Sequence, residues 1–586
     1  MTTVSEYIAE FIHAQEIAFV AGIPGHGNLT LYDALHGANT PTVMVRHEQS
    51  AAFLADGYAR ITGKPVVIST SVGPGAVNSL VGLATAMADS SPIIAITGDV
   101  QTYVRDKGAI QDINFHAASD FASMVKPVVK RSWSITSPDQ LPDALHRAYM
   151  MSISGRPGPV HLQIPMDVQA ANLSPGSRSP QVTAAIPSSY PAPESIRAAA
   201  EAILEAERPV FLAGGGVTIS RAESELVAIC EYLGIPVITT LTSKGVISED
   251  HQLNAFYTGP KGSPVGTDTI READLLVAVG YRFTEWASGS FVHGEVFSVP
   301  PQRIVHIDVD PSEIGRNYPV EVAVVGDAKS SLSALLKAIT EMTEPRDYSD
   351  SSRFRALQAR RTEWEKSLEA QRVQSSPISL STALGALRRG LPRDAVVTSS
   401  SGHTQGHLFQ EFPVFEPRSF LSAGGFSTMG WSLPAALGVK LGVGERRVAA
   451  VVGDGDLLMS CQELATAAQY GIDITVFVLN NGGYLSIRDM QASIFGPDRT
   501  IATENRTSQG EWIVPDVVGL ANALGVPGTR VNEPGELETA IQTAVDRPGP
   551  FVVEVRTEQA FPRSMNDLAY FSDFPAPERV QGIQGG

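Results

Sequence analysis

Short, nearly unbroken runs of aliphatic and β-branched residues recur along this chain. Each ends in glycine or a small polar residue and gives way to a segment of helical periodicity. In the first third the runs are PVVIST (65–70) and SPIIAITGD (91–99), with VNSLVGLATAMAD between them as a helix. In the middle they are PVFLAGGG, IPVITT, ADLLVAVGYR and RIVHIDVD, and in the last third DAVVTSS, RRVAAVVGDGD, DITVFVLNN and PFVVEVRT. A strand that is apolar along its whole length is covered on both faces, and regular alternation with helices requires parallel crossovers. The pattern therefore predicts an α/β chain of three doubly wound parallel sheets. At 586 residues the chain is too long for one core. Two interruptions divide it: a Pro/Ser-rich stretch at 172–195, and a charged, helix-prone stretch at 344–377. The expected domains are 1–172, 190–345 and 375–560, with a loosely ordered tail over 561–586.

Charge and composition narrow the function. The formal net charge of −18 argues against general nucleic-acid binding. Cys230 and Cys461 are the two cysteines, and their spacing fits neither a zinc site nor a disulfide framework, which suits a reducing cytoplasm. The opening MTTVSEYIAEFIHAQEI reads as an amphipathic helix rather than a secretion signal, and no apolar run has the length of a membrane span.

The stretch 451–489, VVGDGDLLMSCQELATAAQYGIDITVFVLNNGGYLSIRD, carries the most chemistry. Ligands of an open parallel sheet sit beyond the carboxyl ends of its strands. Asp454 lies at one such end, and Asn480 and Asn481 at the next, so the two ends face one crevice. A carboxylate and an amide oxygen are hard ligands suited to Mg²⁺ or Ca²⁺. The GDGD turn aims backbone N–H groups as a phosphate site would. Taken singly, GDG is a tight turn and NNGG a strand terminator; together, in one βαβ unit, they describe a metal-bridged diphosphate.

This stretch resembles the cofactor motif of thiamine-diphosphate enzymes, which opens with GDG and closes with NN about thirty residues later. The resemblance implies Asp454, Asn481 and the Gly483 carbonyl as ligands of Mg²⁺, and Gly453, Gly455, Asp456, Leu457 and Tyr484 around the diphosphate. The segment VMVRHEQSAAFLADGYARITGKP (43–65) resembles the acid-bearing part of acetohydroxyacid synthases, with Glu48 as the carboxyl that activates the aminopyrimidine ring. GIPGHGNLTLYDAL and TSVGPGAVN resemble the pyrimidine-binding domain and imply Gly25, Gly73 and Asn78 beside that ring. GGFSTMGWSLPAALGVKLG implies Met429 as the wedge that bends the cofactor, with Thr428 beside it at the cofactor, and Gly402 and His403 stand where the family carries a GQHQ string. In this family the catalytic unit is a homodimer or homotetramer, with Glu48 and Asp454 of one site on different chains.

The pocket departs from the acetohydroxyacid synthases. Their Arg-Phe-Asp-Asp-Arg string reads Arg282-Phe283-Thr284-Glu285-Trp286 here, so an arginine that engages the acceptor carboxylate has become an indole. Ser486 and Met490 replace their methionine and tryptophan, while Gln111 matches their pocket glutamine. His26, His116 and His403 are candidates for proton transfer. The absence of a His-His pair counts against a pyruvate-decarboxylase-like enzyme. FAD in the central domain is compatible with GGGV (214–217), a weak signal on its own. The implied reaction is cleavage beside the carbonyl of a 2-oxo acid and ligation of the acyl unit to an aldehyde or ketone. Non-oxidative decarboxylation and hydrolysis of a cyclic 1,2-diketone are the alternatives, and a non-catalytic cofactor-binding relative is the remaining one.

Overall fold

The computed structural model describes residues 2–113, 120–176, 179–180, 188–259 and 261–559. His116 and the tail beyond 559 fall outside these residues. Eighteen strands form three six-stranded, wholly parallel sheets. The first holds β1 (Val20–Gly22), β2 (Thr42–Met44), β3 (Val66–Thr70), β4 (Ile93–Asp99), β5 (Ser132–Ser134) and β6 (Val160–Pro165), in the order β2-β1-β3-β4-β6-β5. The second holds β7 (Pro209–Ala213), β8 (Val237–Thr239), β9 (Asn254–Tyr257), β10 (Leu275–Val279), β11 (Arg303–Asp308) and β12 (Val322–Val325), in the order β12-β11-β10-β7-β8-β9. The third holds β13 (Val396–Ser399), β14 (Phe420–Ser422), β15 (Val448–Gly453), β16 (Thr475–Asn480), β17 (Gly528–Val531) and β18 (Phe551–Arg556), in the order β14-β13-β15-β16-β18-β17. The first and third sheets share one topology. The second has the strand order of a dinucleotide fold.

The first and third domains share a hydrophobic core. Its centre is the pair of helices Glu48–Thr62 and Ser432–Val443, which meet through glycines. A Cβ on Gly57 would lie 2.2 Å from the Ala435 carbonyl oxygen, and one on Gly438 only 1.9 Å from that of Leu54. Polar contacts pin this joint. Trp431 Nε1 donates to Asp56 Oδ2 at 2.7 Å, and Arg60 joins Asp56, Asp89 and the Ser422 carbonyl. These contacts account for the DGYAR part of the segment that carries Glu48.

The central domain joins the third through a buried lysine. Lys244 Nζ pairs with Glu249 at 2.5 Å and donates to Tyr257 Oη and the Phe409 carbonyl at 2.6 and 2.9 Å. The charged stretch taken as a linker is the helix Ser352–Ala370, which buries Leu357, Arg361 and Trp364 and donates from Arg361 to the carbonyls of Glu249 and His251. It is part of the central domain's packing. The helix expected over 77–89 is broken at Ser79, whose hydroxyl donates to the Ala76 carbonyl. Among the described residues no helix is long and apolar enough to cross a membrane.

Candidate active site

In the third sheet, β15 lies beside β16 with Gly453 opposite Leu479, so the next residues of both strands leave the sheet side by side. The GDGD segment folds as a helical turn, Asp454–Leu457, with all four residues buried. Asp454 is 1 % exposed, and the Asn481 N–H lies 3.4 Å from its Oδ1. Burial pushes the Asp454 carboxyl up to about 6, against the pull of backbone N–H groups from Asn481, Asp454 itself, Gly455 and Gly483. Among the described residues Asp454 Oδ2 and Asn481 Oδ1 are buried without a hydrogen-bond partner, as is the neighbouring Asn480 Oδ1.

Asn480 does not share that crevice as the sequence suggested. Its amide nitrogen donates to Glu554 Oε1 and the Pro515 carbonyl at 2.7 and 2.9 Å, because successive strand residues point to opposite faces. Gly483 pairs with Glu504 in an isolated bridge, and the Tyr484 ring packs where a Cβ on Gly455 would intrude at 2.7 Å. Asp456 is pushed up to about 7 by burial and accepts the Gly430 N–H at 2.6 Å, which ties the Thr428–Met429 loop to this turn. Thr428 also shares a 2.7 Å hydroxyl contact with Thr85 of the first domain.

Gly402 and His403 follow β13, on the other side of the point where the strand order reverses. A Cβ on Gly402 would be 3.7 Å from Ser486 Oγ, and one on Gly453 would be 3.7 Å from Thr404 Oγ1, so this loop borders the Asp454 turn. His403 Nε2 lies 3.0 Å from Asp489 Oδ2. Burial lowers the His403 imidazole while Asp489 raises it. Asp489 and Met490 lie on the helix Leu485–Phe495, as does Ser486.

A second group gathers at the carboxyl ends of the first sheet. Glu48 is the first residue of its helix, and Asn78 Nδ2 donates to its Oε2 at 3.0 Å. A Cβ on Gly75 would stand 3.1 Å from Glu48 Oε1. Gly73, at φ +60°, backs onto Gln111, where a Cβ would be 2.2 Å from the carbonyl oxygen. Gly25 would meet Ser71 in the same way, and His26 beside it is exposed. Among the described residues no hydrogen bond or ion pair joins the side chain of Glu48 to Asp454 or Asn481.

Trp286 approaches the His403 and Thr428 loops from the central domain. It lines a cavity of about 320 Å³ between the central and third domains, with Gln405, Phe409, Gly424 and Ser427. A larger cavity of about 410 Å³ opens at the carboxyl ends of the central sheet, beside Gly215, Gly216, Gly280 and Asp308.

The sequence matches three parts of one family: thiamine pyrophosphate enzyme, N-terminal TPP binding domain, over residues 2–118; central domain, over 196–335; and C-terminal TPP binding domain, over 400–555. The probable acetolactate synthase large subunit of Methanocaldococcus jannaschii is 34 % identical over 564 residues, covering 95 % of this chain and 92 % of that one. This chain belongs to the thiamine pyrophosphate enzymes. The acetolactate synthase large subunit of Corynebacterium glutamicum is 36 % identical, over 90 % of this chain and 82 % of its own, and isozyme 3 of Escherichia coli is 31 % identical over 93 % of both.

A thiamine pyrophosphate enzyme needs a seat for a diphosphate and its counter-ion. The residues here fit it: two orphaned, buried oxygens at adjacent strand ends are the acceptors a hard cation satisfies. Among the described residues no three His, Cys, Asp or Glu side chains converge as a metal cluster. A cation at this seat would draw on one carboxylate and an amide, with backbone and ligand oxygens for the rest. Two residues escaped the sequence reading. Asp489 meets His403 only through the tertiary fold, and the only trace of it is its place one turn along the helix that follows NNGGY. Lys261, between β9 and the helix Pro264–Arg271, donates to the Gly402 carbonyl at 3.2 Å and had no signal in its own segment.

Proposed function

We propose that this enzyme is a thiamine-diphosphate- and Mg²⁺-dependent, acetolactate synthase-like carboligase. It cleaves the C–C bond beside the carbonyl of a 2-oxo acid and joins the acyl unit to an aldehyde or ketone acceptor. The observation that carries this reading is the pair of buried oxygens without partners, Asp454 Oδ2 and Asn481 Oδ1. With the Gly483 carbonyl they would hold Mg²⁺, and the N–H groups of Asp456 and Leu457 would take phosphate oxygens. When bound, thiamine diphosphate supplies the carbon nucleophile.

The residues of this chain do the rest. Glu48, kept in place by Asn78, would offer its carboxyl to the aminopyrimidine ring and hold a proton for it. Met429 would pack against the cofactor from the loop tied to Asp456. His403, with Asp489 behind it, is placed to hold or release a proton at the substrate oxygen. Gln111 stands at the pyrimidine side, and Ser486, Met490 and Trp286 shape the acceptor side. The two half-sites are brought together by a second copy of the chain, with Glu48 of one protomer facing Asp454 of its partner. Flavin absorbance of the purified enzyme tests whether FAD is bound beside the central sheet, where a cavity of about 410 Å³ opens.

The deciding experiment is a titration of thiamine diphosphate with and without Mg²⁺. In wild type, binding is Mg²⁺-dependent; in Asp454→Ala it is lost. Unaltered Mg²⁺-dependent affinity in the variant overturns the assignment of the seat.

A further inference from the structure

Two lysines stand at the junction of the central and third domains, and they are treated differently. Lys244 is fully enclosed and paired with Glu249 at 2.5 Å. Lys261 is partly buried, and among the described residues no carboxylate lies within ion-pair distance of its Nζ. Burial alone moves its ammonium, down to about 8. Its hydrogen bond is to the Gly402 carbonyl at 3.2 Å, which leaves N–H capacity unused. Nζ also lies over the Trp286 indole, 5.1 Å from the ring centroid. The stem is seated by Gly406, where a Cβ would come 2.7 Å from Lys261 Cδ.

Position gives this cation its meaning. Gly402 ends the loop that borders the Asp454 turn, and His403 follows it. The indole beneath Nζ also lines the cavity of about 320 Å³. Two other cations stand on this side: Arg488 is engaged with Asp489 at 2.9 Å and with Glu504, and Arg282, which lines the same cavity, donates to the Ala88 carbonyl at 2.9 Å. Of the cations on this side, Lys261 is the one that touches the Gly402 loop, and no described carboxylate pairs with it. Holding it there without a partner costs free energy that a bound anion restores.

We propose that Lys261 is a specificity-determining residue that binds the carboxylate of the 2-oxo acid substrate from the connection that follows β9. The inference rests on the proposed function for the identity of the substrate and on its own geometry for the anion site. One compact ammonium above an apolar ring suits a small monoanion better than a phosphate, for which a fork or a cluster of cations is the usual arrangement.

The test uses the full-length enzyme loaded with thiamine diphosphate and Mg²⁺, and two unreactive or neutral probes. Oxamate has the shape and charge of a small 2-oxo acid; butane-2,3-dione has the size without the charge. By calorimetric titration, Lys261→Met weakens oxamate binding about tenfold or more, the loss of one charge-assisted hydrogen bond, and leaves the dione unchanged. Lys261→Arg restores part of the oxamate affinity. Absence of oxamate binding to wild type, equal oxamate affinity in Lys261→Met, or equal loss of both probes would overturn the proposal. Failure of the wild-type enzyme to bind thiamine diphosphate overturns the functional reading instead, and the probe comparison, repeated without cofactor, still decides Lys261.

Discussion

Glu48 owes its place to two small neighbours: Asn78, which donates to one carboxylate oxygen, and Gly75, which leaves room for the other. Its proposed task is proton handling, which separates it from the residues that hold the diphosphate. Glu48→Gln keeps the size and the Asn78 contact but removes the acid. Turnover is expected to fall by about 10²–10⁴-fold while thiamine diphosphate affinity stays within a few-fold. Steady-state rates and a cofactor titration on the same preparation check both halves; a parallel fall in affinity would show Glu48 to be a binding residue only. The places of Asp454, Asn481 and Glu48 were legible in the sequence because each lies between the end of a strand and the helix that follows it; their roles belong to the proposal. Lys261 and Asp489 were not legible. Their partners, Gly402 and His403, lie well over a hundred residues away in one case and eighty-six in the other, and only the fold brings them together.

Helices carry the same lesson at the next scale. Gly438 sits mid-helix, where alanine would gain about 1 kcal/mol of intrinsic propensity. A Cβ there, 1.9 Å from the Leu54 carbonyl oxygen, meets backbone that has no rotamer to change. Overpacking of this kind costs about 3 kcal/mol, so Gly438→Ala is expected to lower the thermal midpoint despite its better propensity. A midpoint equal to or above wild type would show that the helix pair can separate freely. Strands offer a second check. His161 of β6 is enclosed, with Thr97 of β4 and Ser132 of β5 at 2.9 and 2.8 Å from its two ring nitrogens. Burial lowers its imidazole to about 3. The unfolded chain therefore takes up this proton near 6.5 while the folded one does not, and the contribution to stability falls as pH drops below 6.5. Relative to His161→Gln, wild type is expected to lose about 2 kcal/mol between pH 7 and pH 5 in denaturant titrations. The strands were readable because buried parallel strands are apolar throughout. Sheet order was not: nothing in PVFLAGGG or RRVAAVV distinguishes the 3-2-1 arrangement of the central sheet from the 2-1-3 arrangement of its neighbours. The helix Ser352–Ala370 was misread as a linker because its charges dominate its composition, although Arg361 and Trp364 are buried.

At the scale of the molecule, the two half-sites lie on domains whose in-chain joint is already filled by the helices Glu48–Thr62 and Ser432–Val443. Both half-sites are rimmed by apolar side chains left in solvent: Leu29 and Ile110 near Glu48's group, at 58 % and 79 % exposure, and Phe426 and Met459 near Asp454's, at 51 % and 47 %. A second copy of the chain, related by a two-fold axis, would cover both rims and complete both sites at once. Complementation tests this directly. Glu48→Gln and Asp454→Ala are each expected to be inactive when expressed alone. Co-expressed with different tags at equal levels, they assemble about half the dimers as hybrids, and each hybrid has one site with both residues intact and one with neither. The mixture is expected to show about a quarter of wild-type activity, and hybrids isolated through both tags about half. Were Glu48 and Asp454 to act within one chain, every site in the hybrid would lack one of them, and activity would stay at the level of the separate variants. The hybrid therefore separates a shared site from a self-contained one without reference to the identity of the substrate's acceptor.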